Sequence, residues 1–272
     1  MKIQFLQDLI DRLRGKIYCA DIFLLNEYNI KKASNFESLI LGSSHLYCFC
    51  PNEKELNVAL PSQDLYYSYK LYQKLNHKDL KNIIISFSVF SPAYCLIKTK
   101  DTKMCVLYKV SLGIDYEYPE LLVNKNVRGM EKYFGKALGN LRRSFTLDKY
   151  KKRESHILKE ESVVKERALK HYKNNVREVD EMDCLKKLLN ETKINKQNVL
   201  VVLPPATSIY KNVLPKSDMI FEKLYTLLND FDNVKLLNLY DSEIFTDEDF
   251  ADADHLKKEC WEKYSDIIRK QI

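Results

Sequence analysis

The sequence is poor in the residues that break regular structure. Its 272 residues include only six glycines and seven prolines, against eighteen tyrosines and twelve phenylalanines. This composition excludes a collagen-like chain and a low-complexity disordered one. Because 45% of the residues are hydrophobic, the chain can fill the core of one large domain, or of one domain with a sizeable insertion.

Long apolar runs and paired cysteines are also missing. No stretch approaches the roughly 18 consecutive apolar residues that a transmembrane helix needs. Residues 1–14 place apolar side chains on one helical face among charges, a pattern too polar for a signal peptide. The seven cysteines are odd in number and irregularly spaced, so they predict neither a disulfide framework nor a zinc ribbon. We therefore expect a cytoplasmic protein without a transmembrane segment.

The charge is not strongly of one sign. Lysine and arginine number 44 against 38 aspartates and glutamates, which leaves a formal charge of +6. This mild excess fits attraction to anionic glycans, nucleotides or a membrane surface, but a scattered lysine-rich surface gives the same count. Glutamates interleave the bases between Lys149 and Lys173, so we predict a solvated helix or lid there, with His156 and His171 on its surface, and no nucleic-acid partner.

Short apolar runs alternate with helical patterns along the chain. The runs that predict strands are Ser38–Leu41, Leu56–Leu60, Asn82–Phe87, Asn198–Leu203 and Val234–Leu239. The clearest helical pattern is Leu65–Leu75, and others lie at about 183–189, 219–228 and 256–268. Strand, helix and strand in this rhythm indicate βαβ units with right-handed crossovers.

These elements predict the fold class. We expect a three-layer α/β/α sandwich around a mostly parallel, flavodoxin-like sheet of five strands. A single domain would span residues 1–272, with a helical insertion at about 98–177 that breaks the rhythm. That insertion is rich in tyrosine near Tyr116 and Tyr118 and then densely charged.

Polar segments follow several of the predicted strands. Gly42-Ser43-Ser44 follows the first, Ser62-Gln63 the second, and Ser88 the third, while Asp252 and His255 follow the last. In open α/β sheets the active site lies at the carboxyl ends of the strands. A serine becomes a nucleophile when a histidine takes its proton and a carboxylate orients that histidine. We therefore predict Ser44, His255 and Asp252 as catalytic residues.

These segments resemble the motif blocks of the SGNH, or GDSL-like, serine hydrolases and acyltransferases. The family has Gly-Asp-Ser after the first strand and Asp-x-x-His-Leu before the last helix. Here Gly42-Ser43-Ser44 places a serine in the aspartate position, and Asp252-Ala253-Asp254-His255-Leu256 matches fully. The doubled serine is similar to that of the D-alanine transfer protein of teichoic acid synthesis and of SGNH proteins from polysaccharide gene clusters. The resemblance covers Ser38 to Ser91 and Val199 to the end.

The resemblance implies an enzyme that transfers an acyl group, such as acetyl, through a Ser44 acyl-enzyme. Its acceptor would be a cell-surface polysaccharide such as capsule, or a precursor of it such as a lipid-linked saccharide. Acetyl-CoA is a possible acyl donor, no bound cofactor or metal is expected, and peripheral association with a polysaccharide assembly complex is possible. The alternatives are a carbohydrate or lipid O-acyl esterase, and a non-catalytic subunit of a glycan biosynthesis complex that keeps the fold.

The chain departs from the family at the oxyanion hole. The second block offers Ser62-Gln63 where the family has a glycine, and the third offers Ser88-Val89-Phe90-Ser91 where the family has Gly-x-Asn-Asp. The candidate donors are therefore the amide of Ser44, the amide of Ser62 or Gln63 at a predicted helix start, and Ser88. Loss of one side-chain donor costs on the order of 3 kcal/mol of transition-state stabilisation, which slows an enzyme without abolishing it.

Other polar residues near these blocks have plainer interpretations. His45 follows the nucleophile on a strand-to-loop turn, so we expect it to point elsewhere in a structural role. Asp254 is expected to be solvated or to cap a helix. A cluster of carboxylates could instead bind a divalent cation, although such a pattern arises easily by chance. That cluster consists of Asp247, Glu248, Asp249, Asp252 and Asp254.

Overall fold

A computed structural model of the chain describes residues 30, 35–96, 104, 105, 108, 112–114, 160–175 and 181–272. By its contacts the chain divides into two compact units. One consists of Ser34–Cys95 and Ser155–Ile272, and the other of Met1–Ala33 and Leu96–Glu154. The predictions for residues 1–14, Tyr116, Tyr118 and His156 lie outside the described residues.

The larger unit contains a sheet of five parallel strands. These are β1 Ser38–Leu41, β2 Glu55–Asn57, β3 Asn82–Ser86, β4 Asn198–Leu203 and β5 Val234–Asn238. Their order across the sheet is β2-β1-β3-β4-β5, and every neighbouring pair is parallel. This is the strand order of flavodoxin-like folds. The predicted fold class is confirmed, and each predicted strand is found within a few residues of its expected bounds.

Helices connect the strands. They are α1 Ser44–Tyr47, α2 Leu65–Leu75, α3 Glu161–Asn175, α4 Met182–Ile194, α5 Ser208–Asn212, α6 Ser217–Ile220, α7 Glu222–Leu228 and α8 Trp261–Arg269. Short 3-10 turns occur at Ser91–Ala93, Asp247–Asp249 and Lys258–Cys260. Helix α2 begins where the Asp64 carboxylate accepts a hydrogen bond from the Tyr67 amide, an N-cap that satisfies one of the unpaired amides of the first turn. No helix among the described residues is long and apolar enough to cross a bilayer.

Helices cover both faces of the sheet. On one face a buried cluster joins Ile40 of β1 and Ile84 of β3 to Tyr264 of α8. Since side chains alternate along a strand, Leu39 and Ile83 point to the other face, and both are fully buried there. Helices α2 and α4 pack against each other and contact β1 and β4, respectively. The result is a three-layer α/β fold whose core lies on both sides of the central strands.

Two predicted helices have different bounds in the structure. The helix predicted over 219–228 is divided into α6 and α7, because Phe221 leaves helical geometry at φ −105° and ψ 12°. The apolar stripe predicted from Leu256 passes through a 3-10 turn at Lys258–Cys260 and becomes α-helical only at Trp261. Leu256 instead pairs with Phe250 in an isolated antiparallel bridge, which turns the chain back before α8.

Helix α3 lies within the predicted insertion, yet it belongs to the unit that contains the sheet. It packs on α5 and on the 3-10 turn that follows β3. Val164 and Ala168 are buried in this contact, whereas Leu169 is 54% exposed. The charged helix is therefore solvated on one side and packed beside the carboxyl ends of the strands on the other.

Candidate active site

Ser44 is positioned by a tight turn at the end of β1. Gly42 has a φ of +120°, and a side chain there would place Cβ 2.1 Å from Ser86 Oγ. Ser86 Oγ in turn accepts a hydrogen bond from the Ser43 amide at 3.1 Å. The turn therefore requires glycine for its backbone conformation and for the close approach of β3. Ser44 then opens α1, whose first amides have no partner within the helix.

The second part of the site is a loop closed upon itself. The bridge between Phe250 and Leu256 brings its ends together, and the Ala251 amide donates to the His255 carbonyl at 2.8 Å. Inside the loop, Asp252 Oδ1 accepts from the amide of His255 at 2.8 Å. The local spacing of three residues thus lets one carboxylate organise the backbone and the side chain of the histidine together.

A neighbouring loop holds this segment in place. The amide and the hydroxyl of Thr207, which follows β4, both donate to the Ala253 carbonyl at 3.0 Å. The Asp254 amide donates to Asp252 Oδ1, also at 3.0 Å. With its backbone groups paired on both sides, the loop presents its two aspartates and its histidine at the carboxyl end of the sheet.

The structure brings Ser44, His255 and Asp252 into one line of hydrogen bonds. His255 Nε2 lies 2.7 Å from Ser44 Oγ. His255 Nδ1 lies 2.9 and 2.8 Å from the two oxygens of Asp252. Since a carboxylate only accepts, Nδ1 carries the proton and Nε2 is free to accept the proton of Ser44. The side chain that faces His255 is that of Ser44, while the Ser43 hydroxyl contacts a different histidine.

Burial and charge act in opposite directions on these groups. Burial lowers the pKa of His255, but the carboxylates of Asp254 and Asp252 outweigh it, so the pKa is raised above its ordinary value. Burial raises the pKa of Asp254, yet His255, His45 and Arg167 together hold it well below the usual range. The site therefore contains ionised carboxylates that favour the imidazolium form of His255, which is what a general base requires after it accepts a proton.

A second histidine lies beside the first. The rings of His45 and His255 are stacked with centroids 5.1 Å apart and an interplanar angle of 11°. His45 Nε2 lies 3.2 Å from Asp254 Oδ2, and its Nδ1 lies 3.0 Å from Ser43 Oγ and 2.9 Å from Ser88 Oγ. Asp254 is only 4% exposed. The expectations that His45 points away from the site and that Asp254 is solvated or capping are therefore wrong.

Helix α3 contributes two further side chains. Arg167 Nε lies 2.7 Å from Asp254 Oδ1, at an angle that makes the contact an ion pair more than a hydrogen bond. His171 Nδ1 lies 2.8 Å from the Tyr210 hydroxyl and 3.6 Å from Asp254 Oδ2. The prediction that His171 is a surface residue is wrong, since its side chain is 15% exposed and burial lowers its pKa to about 4.

These α3 residues were missed because the charged pattern of the helix dominates its sequence. One signal could have found them. Val164, Ala168, His171 and Asn175 are spaced by three or four residues, and the structure packs this stripe inward, Arg167 lying beside it. A short inward stripe on a highly charged helix predicts one packed face, and polar residues on that face are candidates for a site.

The predicted oxyanion donors of the second block lie in the loop after β2. The Leu60 amide donates to the Gly42 carbonyl at 3.1 Å, which keeps this loop beside the turn that positions Ser44. The helix starts at Leu65 as predicted, with Asp64 as its N-cap, so Ser62 and Gln63 lie just before its first turn. The Gln63 amide donates to the Leu60 carbonyl at 3.0 Å. That amide is thus already engaged in the turn.

Ser88, the candidate from the third block, is in the histidine cluster. Its amide donates to Ser91 Oγ at 2.8 Å, and its hydroxyl contacts His45 Nδ1. Both Ser88 and Ser91 are buried. The first residue of this block, where the family has a glycine, therefore carries an anchored hydroxyl that lies next to the stacked histidines, and Phe90 occupies the asparagine position.

The carboxylates of the possible cation cluster accept hydrogen bonds from different parts of the chain. Asp247 accepts from the Ser208 amide at 2.7 Å, and Asp249 from the Thr246 amide at 2.8 Å. Two groups of described side chains do place possible metal-binding atoms within 4.8 Å of one another; they are His45, Asp254 and His255, and Asp64, Cys95 and Glu181. In the first group the histidine nitrogens already hydrogen-bond to carboxylates and hydroxyls, and in the second the Asp64 carboxylate caps α2.

Comparison with known proteins adds no family to this geometry. No protein-family model matches the chain, and no curated protein matches it. A hydroxyl, an imidazole and a buried carboxylate in line at the end of a parallel strand form the arrangement that activates a serine for attack on an acyl group.

Proposed function

We propose that this protein is a serine-dependent acyl-transfer enzyme of the SGNH type. The observation that supports the proposal is the 2.7 Å contact between Ser44 Oγ and His255 Nε2, with Asp252 on the other ring nitrogen. Ser44 and His255 lie 211 positions apart in the sequence, and they meet at the edge of the sheet where α/β enzymes bind their substrates.

The reaction would proceed in two acyl transfers. Ser44 Oγ attacks the carbonyl carbon of the acyl donor while its proton passes to His255 Nε2, and Asp252 stabilises the imidazolium. The tetrahedral intermediate expels the leaving group of the donor, which takes the proton from His255, and an ester remains on Ser44. An acceptor hydroxyl then attacks that ester and gives its proton to His255, and Ser44 regains its proton as it leaves.

The acceptor in this proposal is a sugar hydroxyl of a cell-surface polysaccharide, such as capsule, or of its lipid-linked precursor. Acetyl-CoA is a suitable donor because a thioester is readily attacked by an activated serine. This assignment of substrates, and with it a cytoplasmic location beside a polysaccharide assembly complex, rests on the resemblance of Gly42-Ser43-Ser44 and Asp252–Leu256 to SGNH motifs. The site geometry supports acyl chemistry in general.

An O-acyl esterase is the second candidate. Its supporting observation is that the His255 side chain is 25% exposed, which admits water to the nitrogen that would activate it. The two reactions share the acyl-enzyme and differ only in whether water or a sugar hydroxyl resolves it. Donor turnover with and without an acceptor glycan separates them, because a transferase consumes donor faster with acceptor and places the acyl group on sugar.

Labelling with a fluorophosphonate tests whether the serine is activated at all. The wild type should be labelled, Ser44→Ala and His255→Ala should not, and Asp252→Asn should be labelled slowly because the imidazole keeps its place but loses its orienting charge. Ser162→Ala, an exposed serine on α3, is the matched control and should be labelled like the wild type. If the folded wild type is labelled no faster than Ser44→Ala, the protein is a non-catalytic subunit that retains the fold.

A further inference from the structure

The hydrogen bonds of His45 determine which of its nitrogens carries a proton. Burial lowers the pKa of His45, so the ring is neutral, and Asp254 is ionised. An ionised carboxylate accepts only, so the proton lies on Nε2, which faces Asp254 Oδ2 at 3.2 Å. His45 Nδ1 therefore offers a single lone pair and no proton.

Two hydroxyls compete for that lone pair. Ser43 Oγ lies 3.0 Å and Ser88 Oγ 2.9 Å from His45 Nδ1. The backbones of both serines are held, since the Ser43 amide donates to Ser86 and the Ser88 amide donates to Ser91. Among the described residues, neither hydroxyl has another acceptor. One lone pair can take one strong hydrogen bond, so one of the two buried hydroxyl protons is always left over.

The surplus proton lies at the same end of the histidine pair as the nucleophile. Asp254 lies 3.2 Å from His45 Nε2 and 3.5 Å from His255 Nδ1, so the carboxylates meet the two stacked rings at one end. The remaining nitrogen of each ring meets serine hydroxyls, which are Ser44 for His255 and the Ser43 and Ser88 pair for His45. This is the end at which attack by Ser44 on a carbonyl develops negative charge.

We propose that Ser43 and Ser88 form a shared hydroxyl donor for the oxyanion, with His45 and Asp254 as positioning residues. His45 holds one hydroxyl, and the proton of the other is given to the negative oxygen of the tetrahedral intermediate. This inference rests on the proposed function. It supplies a side-chain donor in a chain that lacks the asparagine of the family's third block, and such a donor is effective because it is oriented before the reaction.

The first test measures fluorophosphonate labelling, since the phosphonyl oxygen occupies the oxyanion position. Ser43→Ala and Ser88→Ala should each slow labelling roughly 10- to 100-fold, somewhat less than the loss of an amide donor in other hydrolases. The double variant should be no more than about twofold slower than the slower single one, because the last hydroxyl is already drawn to His45 in each single variant. Ser88→Thr, which keeps a hydroxyl, should recover most of the rate, and Ser162→Ala is the control.

The labelling outcomes separate this proposal from the proposed function. Equal labelling of the wild type, Ser43→Ala and Ser88→Ala, all folded by circular dichroism, would overturn the shared donor and leave the Ser44 nucleophile in place. Losses in the single variants that multiply in the double variant would also overturn it, because independent donors would then act. No labelling of the wild type would overturn the proposed function and the oxyanion role with it.

The second test does not depend on activity. In protein labelled with nitrogen-15 at histidine, long-range proton–nitrogen spectra should show His45 as the neutral tautomer protonated on Nε2 from about pH 6.5 to 8.5. The His45 signals are assigned by their loss in His45→Gln. A cationic His45 in this range, or a proton on Nδ1, would overturn the arrangement, since Nδ1 could then accept from neither hydroxyl.

Discussion

Replacing Gly42 by alanine should both destabilise the protein and disable the site. The backbone there has a φ of +120°, and holding a residue with a side chain in such a sparsely populated conformation costs about 1–3 kcal/mol. The new Cβ would lie 2.1 Å from Ser86 Oγ, so Ser86 must move and the buried Ser43 amide loses its acceptor. An unsatisfied buried amide costs about 1–3 kcal/mol more.

The sum for Gly42→Ala is about 2–6 kcal/mol, a large part of the 5–15 kcal/mol that stabilises a typical domain. Urea unfolding followed by circular dichroism measures this loss. Two variants divide it into its parts. In Gly113→Ala the φ is +63° and no atom lies within 4 Å of the new Cβ, so this variant reports the cost of a positive φ without a clash, at an angle that side chains tolerate better than +120°. Ser86→Ala in the Gly42→Ala background removes the clashing oxygen and should recover part of the loss.

Recovery should be incomplete, because the new Cβ would still lie 3.0 Å from the Ser86 backbone nitrogen and 3.2 Å from its Cβ. Labelling of Ser44 should fall with stability, since the turn that positions the nucleophile is the one that is strained. If Gly42→Ala costs less than about 1 kcal/mol, or if it is labelled like the wild type, this turn does not position Ser44 for reaction.

Two further predictions concern pH. In the proposed mechanism His255 acts as a neutral base, and Asp254 contributes most to raising its pKa. We therefore expect kcat/KM to rise with pH through that raised pKa, and Asp254→Asn to move the rise to lower pH. An unmoved profile would contradict this electrostatic role. Burial lowers the pKa of His171 to about 4 in the folded chain, so its contribution to stability is present above about pH 6.5 and is lost as the pH falls toward 4. Between pH 7 and 4, the free energy of unfolding of His171→Gln, measured with urea, should therefore fall by about 2–3 kcal/mol less than that of the wild type. Equal losses of stability in the two proteins would show that burial does not disfavour the charged form of His171.

The sequence by itself determined the sheet and the line of hydrogen bonds that joins Ser44, His255 and Asp252. Parallel strands covered on both faces are continuous apolar runs, so Asn82–Ser86 and Asn198–Leu203 could be recognised without any tertiary information. The ends of such strands meet at one edge, and the local Asp252–His255 spacing already joins a carboxylate to an imidazole. Ser44 could be placed opposite that imidazole because a glycine ends its strand in a turn and because the two segments resemble SGNH motif blocks.

Only the tertiary structure decided the second half of the site. His45 and Asp254 are 209 positions apart, and neither is a residue that the motif blocks specify, so nothing local indicates that one would bind the other. Arg167 and His171 lie on a helix whose sequence is dominated by charge, and their inward direction depends on which side of that helix packs beside the sheet. A polar side chain is drawn into a core only when partners from distant segments satisfy its hydrogen bonds, and those partners are known only once the chain has folded.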